Sequence, residues 1–306
     1  IGAVCLLEIE WSLATAMSEA AGIRPDHVLG YSLGEFAAAA FCGHISLVEA
    51  IMLVRHVITT PKRAKLEGTG DMLSIAQPLN DELRNLLSKH GEEKGQKLGV
   101  AGINSPYNVT VAGDSKAIDS LSKELQASGI LSFPLGVGAP YHCMNAFRSA
   151  RAEWDNTAIF TSMAKKEQEQ EEKKGISPHK PVFFSSCNGY VGRLSNPEKV
   201  LKTSDYWWSN VADVVQFKSA VDEISSEVPG CMFVELSPRP VLTPLLSEIE
   251  TLKRAQTKSK IVGMIVVPPP TSPLTSSTRP FISSSVCFAA LHGLGVDLNF
   301  NGLFEK

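Results

Sequence analysis

Ser32 lies in Gly30-Tyr31-Ser32-Leu33-Gly34-Glu35, between the short apolar lead Val28-Leu29 and the alanine-rich run Phe36-Ala37-Ala38-Ala39-Ala40. A Gly-x-Ser-x-Gly segment between a strand and a helix is a nucleophile-elbow pattern. The serine tips a sharp turn, and the helix N-terminus behind it offers backbone N–H groups and positive dipole to an oxygen at that point. A serine hydroxyl is a weak nucleophile until a neighbouring base takes its proton. The pattern therefore predicts acyl chemistry at Ser32 and requires a base elsewhere in the chain.

Seven histidines are available. His27, His44, His56, His90, His179 and His292 fall in turns, on helices or among polar residues, where surface or capping roles are expected. His142 differs. It lies in Val137-Gly138-Ala139-Pro140-Tyr141-His142-Cys143, whose Gly and Pro imply a fixed, irregular backbone. On residue type alone His142 is either the base or a packed loop histidine. Cys143 is a rival nucleophile only on paper, because adjacent side chains diverge. No Asp or Glu stands out to orient the histidine. Glu35 is expected to serve the first turn of the helix after the elbow. A Ser–His pair oriented by a backbone carbonyl is one arrangement these residues permit.

The elements that must hold these groups are legible in outline. Cys5 to Ala21 is apolar at helical spacing, Val28-Leu29 is a short buried strand, and Glu35 to Cys42 and Leu47 to about Thr59 are expected helices. Alternating helix and strand predicts an α/β fold with a covered parallel sheet. A different rhythm follows: a strand at Met72–Ala76, a helix from Asn80 to His90 capped by Asn80 or Asp81, strands at 98–103 and 109–112, a helix from Ser115 to Ser128 ended by Gly129, and a strand at Ile130–Val137. That βαββαβ order is the ferredoxin-like unit. It places a small subdomain at 71–137 inside a large one made of 1–70 and 138–306. The charge run Lys165–Lys174 reads as a solvated face, Pro268–Pro280 as a surface loop, and Val286–Leu294 as an apolar helix.

Composition narrows the classes. Of 306 residues, 43% are hydrophobic and the net charge is −3, a globular balance that gives no reason to expect nucleic acid or an anionic membrane as partner. No apolar run reaches the ~18 residues of a membrane span. The chain opens on Ile1-Gly2-Ala3-Val4-Cys5 without Met or a signal segment and reads as a piece of a longer polypeptide. Cys5, Cys42, Cys143, Cys187, Cys231 and Cys287 are scattered, which argues against a metal site or a disulfide framework and for a reducing, cytoplasmic setting.

Several ordered blocks resemble the acyl-CoA:acyl-carrier-protein transacylases: malonyl transacylases of fatty-acid synthesis and acyltransferase domains of polyketide synthases. Gly22 to Glu35 is similar to their nucleophile segment, with Tyr31 where histidine is usual. Ile103-Asn104-Ser105-Pro106 with Val109–Gly113 resembles their small-subdomain hairpin, and Tyr141-His142-Cys143 their catalytic-histidine motif. Asp205–Asn210 through Val215-Gln216-Phe217 and Phe233–Leu242 resemble two downstream blocks. The resemblance implies an α/β-hydrolase-like core with a ferredoxin-like insert, Ser32 as the acylated nucleophile and His142 as its base.

It also implies transfer of a short acyl group from acyl-CoA to the phosphopantetheine of an acyl carrier protein, next to other megasynthase domains and with no permanent cofactor. The amide of Leu33 is the expected oxyanion donor. The family's amino-terminal Gly-Gln-Gly segment, which contributes to the oxyanion hole, precedes the first residue of this chain. Where malonyl-type members carry a carboxylate-pairing arginine, ungapped alignment from Ser32 gives Val57. Arg55 is two residues away, about 200° round the helix, and points elsewhere. Valine there favours a neutral acyl group such as acetyl, or leaves malonyl weakly held. The tetrapeptide Ala139-Pro140-Tyr141-His142 matches neither the malonyl nor the methylmalonyl version. Tyr31, Tyr141, Asn210 and Asn104 are candidate pocket residues, the asparagines equally readable as turn stabilisers. The alternative functions are an acyl-CoA thioester hydrolase and a catalytically weakened docking domain.

Overall fold

The computed structural model describes residues 2–19, 22–163, 180–253 and 260–265. The charge run, the Pro-rich stretch, the 286–294 helix, His179 and His292 lie outside the described residues.

The first layer carries the elbow. Helix α1 (Gly2–Glu19) leads to strand β1 (His27–Leu29), then helix α2 (Gly34–Phe41) and helix α3 (Leu47–Arg63). Ser46 caps α3 through a reciprocal box with Glu49, two orphan amide groups thereby satisfied. The expected end of α3 near Thr59 falls short. Pro61 sits inside the helix, which runs one further turn to Arg63. Proline's fixed φ suits a helix, and the cost of its missing N–H is confined to one bond.

The inserted unit follows: β2 (Gly70–Ile75), α4 (Asp81–His90), β3 (Leu98–Ser105), β4 (Asn108–Asp114), α5 (Ser115–Ala127) and β5 (Ser132–Pro134). Its strands form one antiparallel sheet in the order β3-β4-β2-β5. Leu83 and Leu87 of α4 and Ile118, Leu121 and Leu125 of α5 close a core over Leu73, Ile75, Val109 and Val111. Asn80, of the two expected caps, is the one used: its Oδ1 accepts from the Leu83 amide at 2.9 Å. The last strand is only three residues long, not the eight expected from 130 to 137. It pairs on one side alone, with β2, and Phe133 is 60% exposed, so its apolar residues do not all mark pairing.

The chain then supplies β6 (Val182–Ser185), β7 (Gly192–Arg193), α6 (Ser204–Ala212), α7 (Phe217–Glu227), β8 (Met232–Ser237), α8 (Leu242–Lys253) and β9 (Lys260–Ile265). β1 pairs with β6 in parallel, β6 with β7 antiparallel, and β8 with β9 in parallel. The α/β class stands, but the expected parallel sheet is mixed. Its main core joins α2, α3 and α6: Phe36 stacks on Trp207 at 4.2 Å, with Leu53, Trp154 and Tyr206 fully buried beside them. The unit meets the segment after α6 where the Ile103 amide donates to the Val215 carbonyl at 2.8 Å and Val215 returns a bond to Ala101 at 2.9 Å.

Candidate active site

Between β1 and α2 the chain must reverse direction in four residues. Ser32 does so with a φ of 50°, in the left-handed region that costs a residue with a side chain about 1–2 kcal/mol. Gly34 and Glu35 close the turn by donating to the Tyr31 and Ser32 carbonyls at 2.9 and 3.1 Å. A Cβ at Gly30 would collide with the backbone of Glu35, so only glycine allows strand and helix to approach this closely. Among the described hydrogen bonds none uses the Leu33 amide, which lies beside Ser32 at the start of α2.

His142 is brought to the same point by the return from the inserted unit. Its own φ is 59°, and Gly138 before it is also left-handed at 70°. The His142 amide donates to the Val211 carbonyl at 2.9 Å, which ties the loop to α6. Its Nε2 lies 2.7 Å from Ser32 Oγ, and its Nδ1 lies 3.0 Å from the Asp213 carbonyl. A carbonyl only accepts, so Nδ1 carries the proton and Nε2 is the free base facing the serine. Burial pushes the His142 pKa down to about 4, so the ring is neutral at pH 7. The orienting group is thus a carbonyl, one of the arrangements the residues permitted. The neighbouring Cys143 thiol is buried and its pKa is raised, chiefly by that burial, so it holds little thiolate character.

Glu35 does not serve merely the first turn of its helix. Its side chain is fully buried. Oε1 accepts from the Ser186 amide at 2.6 Å and the Ser186 hydroxyl at 2.8 Å. Oε2 accepts from Tyr206 Oη and, at 3.1 Å, from Asn210 Nδ2. Burial raises the Glu35 pKa, and the hydrogen bonds from Tyr206 and Ser186 oppose that rise. The signal in the sequence was a single acid in an otherwise apolar helix, with Tyr206 and Asn210 four apart on one face of another.

The remaining candidates divide. Tyr31 Oη donates to Asn104 Oδ1 at 2.8 Å, and its ring meets Phe217 edge-on at 5.3 Å. Asn104 in turn donates to Asn108 and Thr110 across the β3–β4 hairpin, so it is a hairpin brace that also holds the elbow. Asn210 Nδ2 donates to the Ser32 carbonyl at 3.3 Å as well as to Glu35, so its donor faces the elbow's own backbone. Val57 is buried in the cluster that includes Leu33, Phe147 and Trp208, while Arg55 is exposed on the opposite face of α3. Tyr141 packs on Phe147 at 5.4 Å beside the same cluster. The surface reading fails for three histidines: His44, His56 and His90 are buried, the last two bonded to Trp154 and to Ser120 with Glu124. Among the described residues no group of three His, Cys, Asp or Glu side chains is placed to hold a metal ion, and no helix is long and apolar enough to cross a membrane.

Comparison with known proteins gives a consistent result. A family model described as acyl transferase domain matches residues 3–267. Polyketide synthase GfsB of Streptomyces halstedii is 31% identical over 241 residues, covering 78% of this chain but 4% of that protein. The highly reducing polyketide synthase acrA of Aspergillus aculeatus is 30% identical over 72% of this chain and 9% of its own length. The chain thus spans a small fraction of the curated relatives it matches. Among solved structures, the acyltransferase domain from module 8 of the salinomycin polyketide synthase aligns with TM-score 0.69 and 26% identity, over 97% of this chain and 61% of its own. A loading acyltransferase of the avermectin synthase aligns with TM-score 0.67 and 27% identity, over 94% of this chain and 79% of its own.

Proposed function

The chain belongs to the acyl transferase domain family, and on that premise we propose that it moves a short acyl group from CoA to an acyl carrier protein through an acyl-serine intermediate. The observation that carries this is the 2.7 Å contact of Ser32 Oγ with a His142 Nε2 whose tautomer is fixed by the Asp213 carbonyl. His142 takes the Ser32 proton as Oγ attacks the thioester carbon. The oxyanion that forms is held by backbone amides, that of Leu33 among them; one such donor is worth about 10²–10³ in rate. The C–S bond then breaks, and the CoA sulfur leaves with the proton held by His142. The phosphopantetheine thiol of the carrier protein accepts the acyl group by the reverse sequence. These side chains supply a nucleophile, a base and dipoles, and the reaction needs no more from them.

The fold reading follows the same line. The large part, 1–70 with 138–306, is read as α/β-hydrolase-like, supported by the strand–elbow–helix at Ser32. The insert, 71–137, is read as ferredoxin-like, supported by its antiparallel strand order. Buried free thiols at Cys42, Cys143 and Cys187 suit a reducing cytoplasm.

The acyl group is proposed to be neutral. Val57 occupies an apolar cluster with Leu33, and Arg55 on the same helix is exposed. A free carboxylate in such a place lacks a partner, and an unpaired buried charge is costly. The deciding experiment follows CoA release and carrier acylation with acetyl-, propionyl- and malonyl-CoA. Transfer predicts carrier acylation in step with CoA release, strongest for the neutral groups. CoA release without carrier acylation would mean hydrolysis, and neither would mean a docking role.

A further inference from the structure

Ser32 and His142 are 110 positions apart and arrive on different segments, so something must fix their relative position. The Glu35 carboxyl touches the supports of both. On the serine side, the Ser186 hydroxyl shares its one proton between Glu35 Oε1 at 2.8 Å and the Gly30 carbonyl at 3.0 Å, which holds the entry to the elbow. Asn210 Nδ2 spans Glu35 Oε2 and the Ser32 carbonyl, which holds its tip. On the histidine side, Tyr206 and Asn210 both belong to α6. The end of that helix supplies the Val211 carbonyl to the His142 amide and the Asp213 carbonyl to His142 Nδ1. Hydrogen bonds and one helix therefore link nucleophile to base, with Glu35 bonded to every side chain of the link: Ser186, Tyr206 and Asn210.

We propose that Glu35 is the positioning residue that sets the distance and alignment between Ser32 and His142, by fastening the nucleophile elbow to the helix that holds the base. This rests on the acyl-transfer reading of the site. It predicts that disturbing Glu35 changes the rate of acylation more than the binding of acyl-CoA, because the carboxyl meets elbow and helix rather than substrate.

Glu35→Gln keeps the shape and turns one acceptor into a donor, which then faces the Asn210 amide. Tyr206→Phe removes a single hydroxyl and serves if the first variant folds poorly. The expected result is an acylation rate constant lowered about tenfold or more in Glu35→Gln, with KM within twofold. Glu35→Gln and Asn210→Ala should also be strongly non-additive, as expected for members of one network. The ¹⁵N resonances of His142, assigned by their loss in His142→Gln, should shift in Glu35→Gln toward their position in Ser32→Ala. Leu121→Ala, which opens a cavity in the core of the inserted unit, is the control for mere destabilisation: it should lower Tm without moving either readout. Unchanged rate and unchanged His142 resonances in Glu35→Gln would overturn the inference. If Ser32→Ala is still acylated, the reading of the site fails instead, and the His142 resonances alone decide the role of Glu35.

Discussion

At the scale of single residues, the proposed chemistry rests on a base that is neutral because it is buried. His142 has its pKa lowered to about 4 from 6.5, with desolvation as the main cause. Only the unprotonated ring can accept from Ser32, so the acylation rate should stay level as pH falls through 6.5 and decline as it passes about 4, measured by CoA release in single turnovers. A decline centred near 6.5 would contradict the burial. The sign for stability follows from the same shift. Between about 6.5 and 4 the unfolded chain protonates His142 and the folded chain does not, so this group makes folding less favourable as pH drops through that window. His142→Gln should make that part of the stability profile less steep in urea melts, the remaining slope coming from His44 and His56, whose pKa values burial also lowers. Val57 carries the specificity claim. Val57→Arg should raise the preference for malonyl-CoA over acetyl-CoA, read as a ratio of kcat/KM, by tenfold or more if the arginine pairs with the carboxylate. A strong malonyl preference in the unaltered protein would contradict the neutral reading.

At the scale of elements, the turn, the caps and the helices were legible because local spacing decides them. The elbow glycines, the Asn80 cap and both helices of the inserted unit stand within a residue or two of expectation. Asn80→Ala should cost about 1 kcal/mol, a Tm loss of roughly 2–4 °C by calorimetry, with no change in acyl transfer. Gly30→Ala is different in kind, because its new methyl would meet backbone rather than a movable side chain. It should reach the upper end of the ~1–3 kcal/mol seen for overpacked cores and abolish acylation together. Glu35 departs from the expected first-turn role for a physical reason. A carboxylate at the second position of a helix is normally a first-turn charge, and donors from residues 186, 206 and 210 make its burial tolerable. Those partners lie more than 150 positions away, where spacing says nothing. The edge strand near Phe133 was overextended because apolar runs and paired runs are not the same thing.

At the scale of the whole molecule, two sheets meet beside one site. The sheet of the inserted unit and the mixed sheet of the main part each bury their own apolar residues. The bridges at Ala101, Ile103 and Val215, with the Tyr31–Asn104 bond, join them beside the elbow. The order β2-α4-β3-β4-α5-β5 was visible along the chain; the antiparallel β7 was not, since a two-residue strand leaves no periodicity. The central claim is that Ser32 carries the acyl group between two thiols, and intact-protein mass spectrometry tests it most directly. After a pulse of acetyl-CoA, the account predicts one acetyl increment, mapped to the peptide containing Ser32 and absent in Ser32→Ala. Addition of holo acyl carrier protein should remove it as the carrier gains the same increment. An increment that persists in Ser32→Ala, or one lost to water while the carrier stays unmodified, would contradict the account.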